Sequence, residues 1–255
     1  MRLTIVGCSG SYPGPDSAAS CYLLEARDED GHDDRTWRLL LDLGNGALGA
    51  LHRYADPLAV DAVVLSHLHA DHCLDLCGYY VLRKYHPDGA QPRIPVWGPT
   101  GTAARLARAY DLSPTPGMTR EFDFRAFDGA FRVGPFEIEP TPVAHPVDAY
   151  ALRVTVGGRT LTYSGDSAVC AELDRAADRA DLFLVEASFV DGADNPPDVH
   201  LTGREAGETA ARAGAARVVL THVPPWHEPA RALAEAAEVY AGRVDLAVPG
   251  ATYDV

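Results

Sequence analysis

Lysine is almost missing from this chain. Of 22 basic residues only Lys84 is a lysine, so a lysine nucleophile or Schiff base has one candidate, on a stretch that reads as helix surface. Paired CxxC spacing is absent as well. The five cysteines, Cys8, Cys21, Cys73, Cys77 and Cys170, are an odd set that fits neither a disulfide framework nor a cysteine zinc site, and they read as reduced. No apolar run approaches the roughly eighteen residues of a membrane span. The opening Met1 to Gly7 runs directly into a strand-like segment without the apolar stretch and cleavage site of a secretory signal, so the expected location is cytoplasmic. Positive charge is also scarce. With 22 Lys and Arg against 36 Asp and Glu the net charge is −14, which argues against affinity built on neutralising many phosphates or on a basic patch meeting a membrane. What is present, 47% apolar and 23% charged residues in 255, is the composition of a globular protein with a sizeable core.

Apolar runs of strand length bounded by Gly, Pro, Asp or Asn predict strands at 3–7, 20–25, 37–43, 62–65, 94–97, 131–133, 136–142, 150–156, 159–163, 181–186, 217–221 and 245–248. Helical patterns fall at 46–54, 72–86, 100–110, 167–178, 202–214 and 229–241, and Thr202-Gly203-Arg204-Glu205 has capping-box spacing. The acidic stretch 28–34, with Asp28, Asp30 and His32, lacks full calcium-loop spacing and reads as a solvated hairpin loop. Strands and helices mix in both halves, with no internal repeat or linker. Two sheets packed on each other with helices outside suit this mixture better than a doubly wound sheet, because early strands can join as hairpins.

The sharpest feature is Ser66-His67-Leu68-His69-Ala70-Asp71-His72, between the strand at 62–65 and a helix. Alternate side chains of an extended segment share a face, so His67 and His69 can point to one place and the turn into the helix sends Asp71 and His72 to an adjacent one. Neutral imidazoles and carboxylates are metal ligands, and packed together without metal they would leave polar atoms seeking partners. The pattern suits two neighbouring ions. His145, Asp166 and His222 each follow a predicted strand, where a side chain is delivered to a sheet edge. His52, His86 and His227, like His32, have no partner at ligand spacing and read as structural.

The HxHxDH at 67–72 followed by His145, Asp166 and His222 resembles the metallo-β-lactamase superfamily. The resemblance implies an α+β fold, a four-layer αββα sandwich, as one hydrolase domain spanning 1–255. It implies a first metal on His67, His69 and His145, a second on Asp71, His72 and His222, and Asp166 bridging both. Zinc is the expected metal; His and Asp without Cys also admit manganese or iron. Two divalent ions with two aspartates and a bridging hydroxide leave the site near +1, attractive to an anionic ester, and such a pair activates water and stabilises the leaving oxygen. Asp71 would also orient the attacking hydroxide.

The run 180–189, followed by His200-Leu201-Thr202, is similar to ribonuclease-Z-like members, in which a Glu lies beside a non-ligand His. It implies that His200, oriented by Glu186, protonates the leaving alkoxide. Two departures stand out. The long Gly- and Pro-rich arm that grips tRNA in bacterial ribonuclease Z has no room in the twenty residues between His145 and Asp166, and Val185 replaces a histidine. The blocks 7–11, 14–17, 66–76, 85–87, 144–146, 163–166 and 221–226 most resemble actinobacterial cyclic-nucleotide phosphodiesterases of the superfamily. Tyr12, Tyr79, Tyr80 and Trp226 lie near these blocks, as do Ser9 and Ser11, which could meet a phosphate; none is assigned a role.

The expectation is a binuclear metal-dependent phosphodiesterase acting on a small diester such as cyclic AMP. The alternatives are a tRNA 3′ endonuclease of the ribonuclease Z kind and a lactone or β-lactam hydrolase. The expected partner is the small phosphodiester substrate, not nucleic acid or a membrane, and a homodimer is compatible with the sequence.

Overall fold

In a computed structural model, residues 1–27 and 35–255 are described; the stretch read as a solvated hairpin loop, 28–34, lies outside them. The first sheet is built from β1 (Arg2–Ser9), β2 (Ala18–Ala19), β3 (Cys21–Arg27), β4 (Thr36–Leu41), β5 (Ala62–Val64), β6 (Ile94–Gly98) and β7 (Phe122–Ala126). The second contains β8 (Phe131–Val133), β9 (Phe136–Pro142), β10 (Tyr150–Val156), β11 (Arg159–Tyr163), β12 (Leu182–Glu186), β13 (Arg217–Thr221) and β14 (Arg243–Leu246), after which β15 (Thr252–Asp254) returns to the edge of the first. Strand orders are β15-β1-β3-β4-β5-β6-β7, with β2 beside β1, and β14-β13-β12-β11-β10-β9-β8. Each sheet is antiparallel in one part and parallel in the other, since β4 to β7 and β11 to β14 pair in parallel.

Alternation along the strands explains the layers. Tyr22, Leu24, Leu39 and Leu41 point into a core shared with Leu152, Val154, Leu161 and Leu184 of the other sheet. Their neighbours Leu23 and Leu40 face the opposite way, against Leu51, Leu76, Tyr79 and Leu106. Those residues come from α1 (Ala47–Leu51), α3 (Leu76–Lys84) and α4 (Thr102–Ala109), with the short α2 (Ala70–Cys73) between. On the far side Phe183, Val185, Val218 and Leu220 pack on α5 (Ala171–Ala176), α6 (Gly203–Ala213) and α7 (Pro229–Ala237). Burial on both faces is why these strands read as continuous apolar runs. The result is the expected αββα arrangement.

Several boundaries differ from expectation for local reasons. The helix predicted at 72–86 is two, because Asp75 N–H donates to Leu43 O and the Asp75 carboxylate accepts from Leu48 N, drawing the chain aside between α2 and α3. The one predicted at 167–178 begins only at Ala171, because Ser167 N–H goes to the Glu186 carboxylate and Ala168 N–H to Ala144 O. The last predicted strand, 245–248, is shifted to Arg243–Leu246. The edge strand β7 and the short β2 and β15 were not anticipated; β7 carries Asp123 and Arg125 between its apolar residues. The capping box forms as predicted, with Thr202 Oγ1 accepting from Glu205 N and the Glu205 carboxylate accepting from Thr202 N.

Candidate metal centre

One edge of the sandwich collects the loops that leave β4, β5, β9, β11, β12 and β13. Those loops carry Asp42, the 67–72 segment, His145, Asp166, the residues after Glu186, and His222. His67, His69, His145 and Asp166 bring one ligand atom each within 4.8 Å of one another, and so do Asp71, His72, Asp166 and His222. All seven metal ligands expected from the sequence therefore converge in space.

Asp166 sits between the two groups and offers each a different oxygen. Its Oδ2 lies 3.6 Å from His67 Nε2, while Oδ1 lies 3.2 Å from His72 Nε2 and 3.5 Å from His222 Nε2. In the first group His69 Nδ1 is 3.0 Å from His67 Nε2 and 3.3 Å from His145 Nε2. In the second, His222 Nε2 is 3.0 Å from His72 Nε2 and 3.1 Å from Asp71 Oδ2. A tetrahedron of ligands about 2.0–2.1 Å from its ion has edges of roughly 3.3 Å, so these separations suit a zinc-sized ion in each group. Asp166 Oδ1, though buried, has no hydrogen-bond partner. A buried carboxylate oxygen left in this way is what a metal ligand looks like before its ion is counted.

Neighbouring groups set the imidazole tautomers. His145 Nδ1–H donates to Val199 O at 2.8 Å. Ser188 Oγ–H donates to His222 O at 2.8 Å and accepts from His222 Nδ1 at the same distance. Ser66 Oγ–H donates to Asp42 Oδ2 at 2.7 Å and can accept from His67 Nδ1 at 3.1 Å. In each case Nε2 is left with its lone pair toward the cluster, as an outer hydrogen bond does in metal sites. Asp42, which the sequence reading missed, is fully buried and accepts from Ser66 N, from Tyr163 OH and from His72 Nδ1 at 2.7–2.8 Å. The one trace of it in sequence is a carboxylate that interrupts the apolar run between Leu41 and Leu43. Asp42 and His222 both hold left-handed backbone, φ 59° and 57°, a conformation unfavourable for residues with side chains.

Electrostatics divide the site. Burial pushes the His67, His69 and His145 imidazoles below their ordinary value, favouring the neutral form a metal binds. Burial acts the same way on His72, but the charges of Asp166 and Asp42 outweigh it and raise that group. Burial pushes the Asp71 carboxyl up, yet its bonds to His222 and His72 hold it well below the usual carboxylate range. Buried carboxylates facing His72 call for positive charge at that point, whether a proton or a metal.

Glu186 and His200 form a third group with His222, also within 4.8 Å. The Glu186 carboxylate is already engaged: Oε1 accepts from Ser167 N and His200 Nδ1, both at 2.8 Å, and Oε2 from Ser188 N and Leu201 N at 3.2 and 3.3 Å. It therefore orients His200 and is not a free ligand. The His200 ring lies 5.6 Å from that of His145 and 5.5 Å from that of His222, facing both metal groups. Burial would lower His200, but the charge and hydrogen bond of Glu186 overcome it and raise the imidazole to about 9. Divalent ions bound alongside work against that rise. His52, His86 and His227 stay outside all three groups.

Fold and site together define a metal-dependent hydrolase with places for divalent ions. The chain belongs to the metallo-β-lactamase superfamily: the family model described as a beta-lactamase superfamily domain matches residues 37–223. An uncharacterised protein of Mycobacterium leprae (strain TN) is 45% identical over the whole chain and 89% of its own length. The metallo-β-lactamase fold protein YhfI of Bacillus subtilis is 29% identical, and its crystal structure superposes with a TM-score of 0.85 over 99% of both chains. A ribonuclease Z of Myxococcus xanthus (strain DK1622) is 28% identical over the whole chain and 98% of its own length. Its alignment runs over 312 positions, and 312 − 255 leaves 57 with no counterpart here. Among the described residues, no helix is long and apolar enough to cross a membrane.

Proposed function

We propose that this metallo-hydrolase is a phosphodiesterase for a small diester, a cyclic nucleotide such as cyclic AMP. The observation that carries the reading is the Glu186–His200 pair, a proton donor held beside the two ligand groups that share Asp166. His67, His69 and His145 with Asp166 Oδ2 would hold one ion, zinc by ligand type, and Asp71, His72 and His222 with Asp166 Oδ1 the second. Divalent ions there would supply Lewis acidity toward the phosphoryl oxygens and lower the pKa of the attacking water. Asp71 orients that water for in-line attack on phosphorus. His200 Nε2, with Nδ1–H committed to Glu186, gives its proton to the alkoxide as the P–O bond breaks, and the ring opens to a phosphate monoester carrying a free hydroxyl.

Substrate size is argued from the interval between His145 and Asp166. It is occupied by β10 and β11, joined through Gly157–Gly158 with a hydrogen-bonded register from Leu152–Tyr163 to Val156–Arg159. That ladder supports a substrate without a tRNA body, since no arm extends from it, and the net charge of −14 points the same way. Kinship with a ribonuclease Z favours one second reading, tRNA 3′ cleavage at the same centre. A panel of cyclic mononucleotides, cyclic dinucleotides, pre-tRNA and a lactone, with metal content measured on the same sample, separates them. Turnover of a cyclic mononucleotide with pre-tRNA left intact is expected; efficient pre-tRNA cleavage would overturn the choice.

A further inference from the structure

Two large aromatic side chains are left exposed on the loops tied to His222. Tyr12 is 44% and Trp226 59% exposed, and their rings lie 5.3 Å apart at 34°. They stand on two loops fastened to each other around His222. His222 N–H donates to Cys8 O at 3.0 Å, Gly10 N–H donates to Val223 O at 3.2 Å, and a Cβ on Gly10 would lie 2.2 Å from His222 O and 3.1 Å from His222 Nδ1. Only glycine allows that approach. Tyr12 is then tied back by its own N–H to Gly10 O at 2.7 Å and by Ser9 Oγ–H to Tyr12 O at 2.7 Å. Tyr12 is two positions beyond Gly10 and Trp226 four beyond His222, which limits their Cα atoms to roughly 7 and 14 Å from those anchors.

We propose that Tyr12 and Trp226 form a stacking platform that holds the nucleobase of the substrate while its phosphate is at the metal centre. The proposal rests on the nucleotide reading above. Its physical basis is a division of labour. A chain of net charge −14 attracts a singly charged diester only where bound cations reverse the local sign, so the uncharged remainder of a nucleotide needs a contact that is not ionic. Bases stack on exposed aromatic rings whatever their hydrogen-bonding edges, because each has a π face. A second copy of the chain is a weaker occupant. Ser11, Pro15 and Asp16, on the same loop as Tyr12, are exposed, and two side chains fall far short of the roughly 800 Å² per partner of a stable interface.

Calorimetric binding of adenosine 5′-monophosphate and of ribose 5-phosphate to the metal-loaded full chain isolates the base from the phosphate. Tighter binding of the nucleotide by roughly tenfold is expected, with that advantage lost in Trp226→Ala, reduced in Tyr12→Ala and largely kept in Trp226→Phe. Equal binding of the two ligands, or an advantage that survives both alanine variants, overturns the proposal. So does a change in sedimentation of Trp226→Ala from dimer to monomer, which would assign the pair to a subunit interface. Cyclic AMP turnover run beside the titrations reports on the phosphodiesterase reading separately, because the binding comparison does not depend on catalysis.

Discussion

Replacing His200 by alanine tests the proton donor directly. The substitution removes one of the four hydrogen bonds to Glu186 and leaves those from Ser167 N, Ser188 N and Leu201 N, so the buried carboxylate keeps a partner on each oxygen. The loops holding Asp166 and His222 should therefore stay in place, and metal content should not change. Turnover of a cyclic nucleotide, whose leaving group is an alkoxide, should fall about 10²- to 10⁴-fold, the usual contribution of a general acid. At 1.36 kcal/mol per decade that is a barrier increase of about 2.7–5.4 kcal/mol. A nitrophenyl diester expels a stable anion without needing a proton, so its hydrolysis should fall far less. The pH profile gives a second readout. An acid acts while protonated, so activity should hold below the raised folded value and decline as pH rises through it. Glu186 sets that value toward about 9, bound cations bring it down, and the alkaline limb should vanish in His200→Ala. Equal losses on both substrates with full metal content would refute the proton transfer and leave His200 a positioning role.

Asp166→Ala removes the one carboxylate shared by both groups and should abolish metal retention, measured by elemental analysis after dialysis, together with activity. Asp42→Asn keeps the shape but weakens the hold on His72; about 10- to 100-fold lower metal affinity is expected in chelator competition, with the fold unchanged by circular dichroism. Stripping both ions should lower Tm. If free metal stands about a thousandfold above each dissociation constant, the loss is about 4 kcal/mol per ion and about 8 kcal/mol for both, or roughly 16–32 °C for a chain of this size, measured by scanning calorimetry. Thr202→Ala, which removes the cap of α6, should cost about 1 kcal/mol in denaturant unfolding with catalysis little altered.

What was legible in the sequence follows from where information is local. Strands buried on both faces announce themselves as apolar runs, and candidate metal ligands announce themselves by residue type at strand ends, so the layers and the seven residues that converge on the candidate centre could be read from the sequence. The parts that escaped depend on contacts between distant segments. Asp42 has no motif of its own; its role exists only because β4 and β5 pair in parallel and place it against Ser66, with Tyr163 arriving from the other sheet. The break between α2 and α3 likewise comes from Asp75 reaching back to Leu48. Aromatics placed like Tyr12 and Trp226 are more often core, and only the packing of their loops shows them outside.

The site is costly to build without its ions, and that cost bears on what it can bind. Asp42, Asp71 and Asp166 are all buried around the His72 imidazole, and Asp42 and His222 adopt unfavourable left-handed backbone. Such features persist where the surrounding structure over-determines them, here through the Asp42 hydrogen bonds and the Ser188 clasp on His222. Divalent ions bound there would relieve the carboxylate repulsion and turn a locally negative cluster positive, so metal binding and folding free energy would be coupled. The same reversal would make this site a place where an anionic ester is attracted while the chain as a whole carries −14. A diester with one charge needs only that site. An RNA would need many phosphate contacts against a chain of like charge, which is why the charge balance and the ladder between His145 and Asp166 favour the same small substrate.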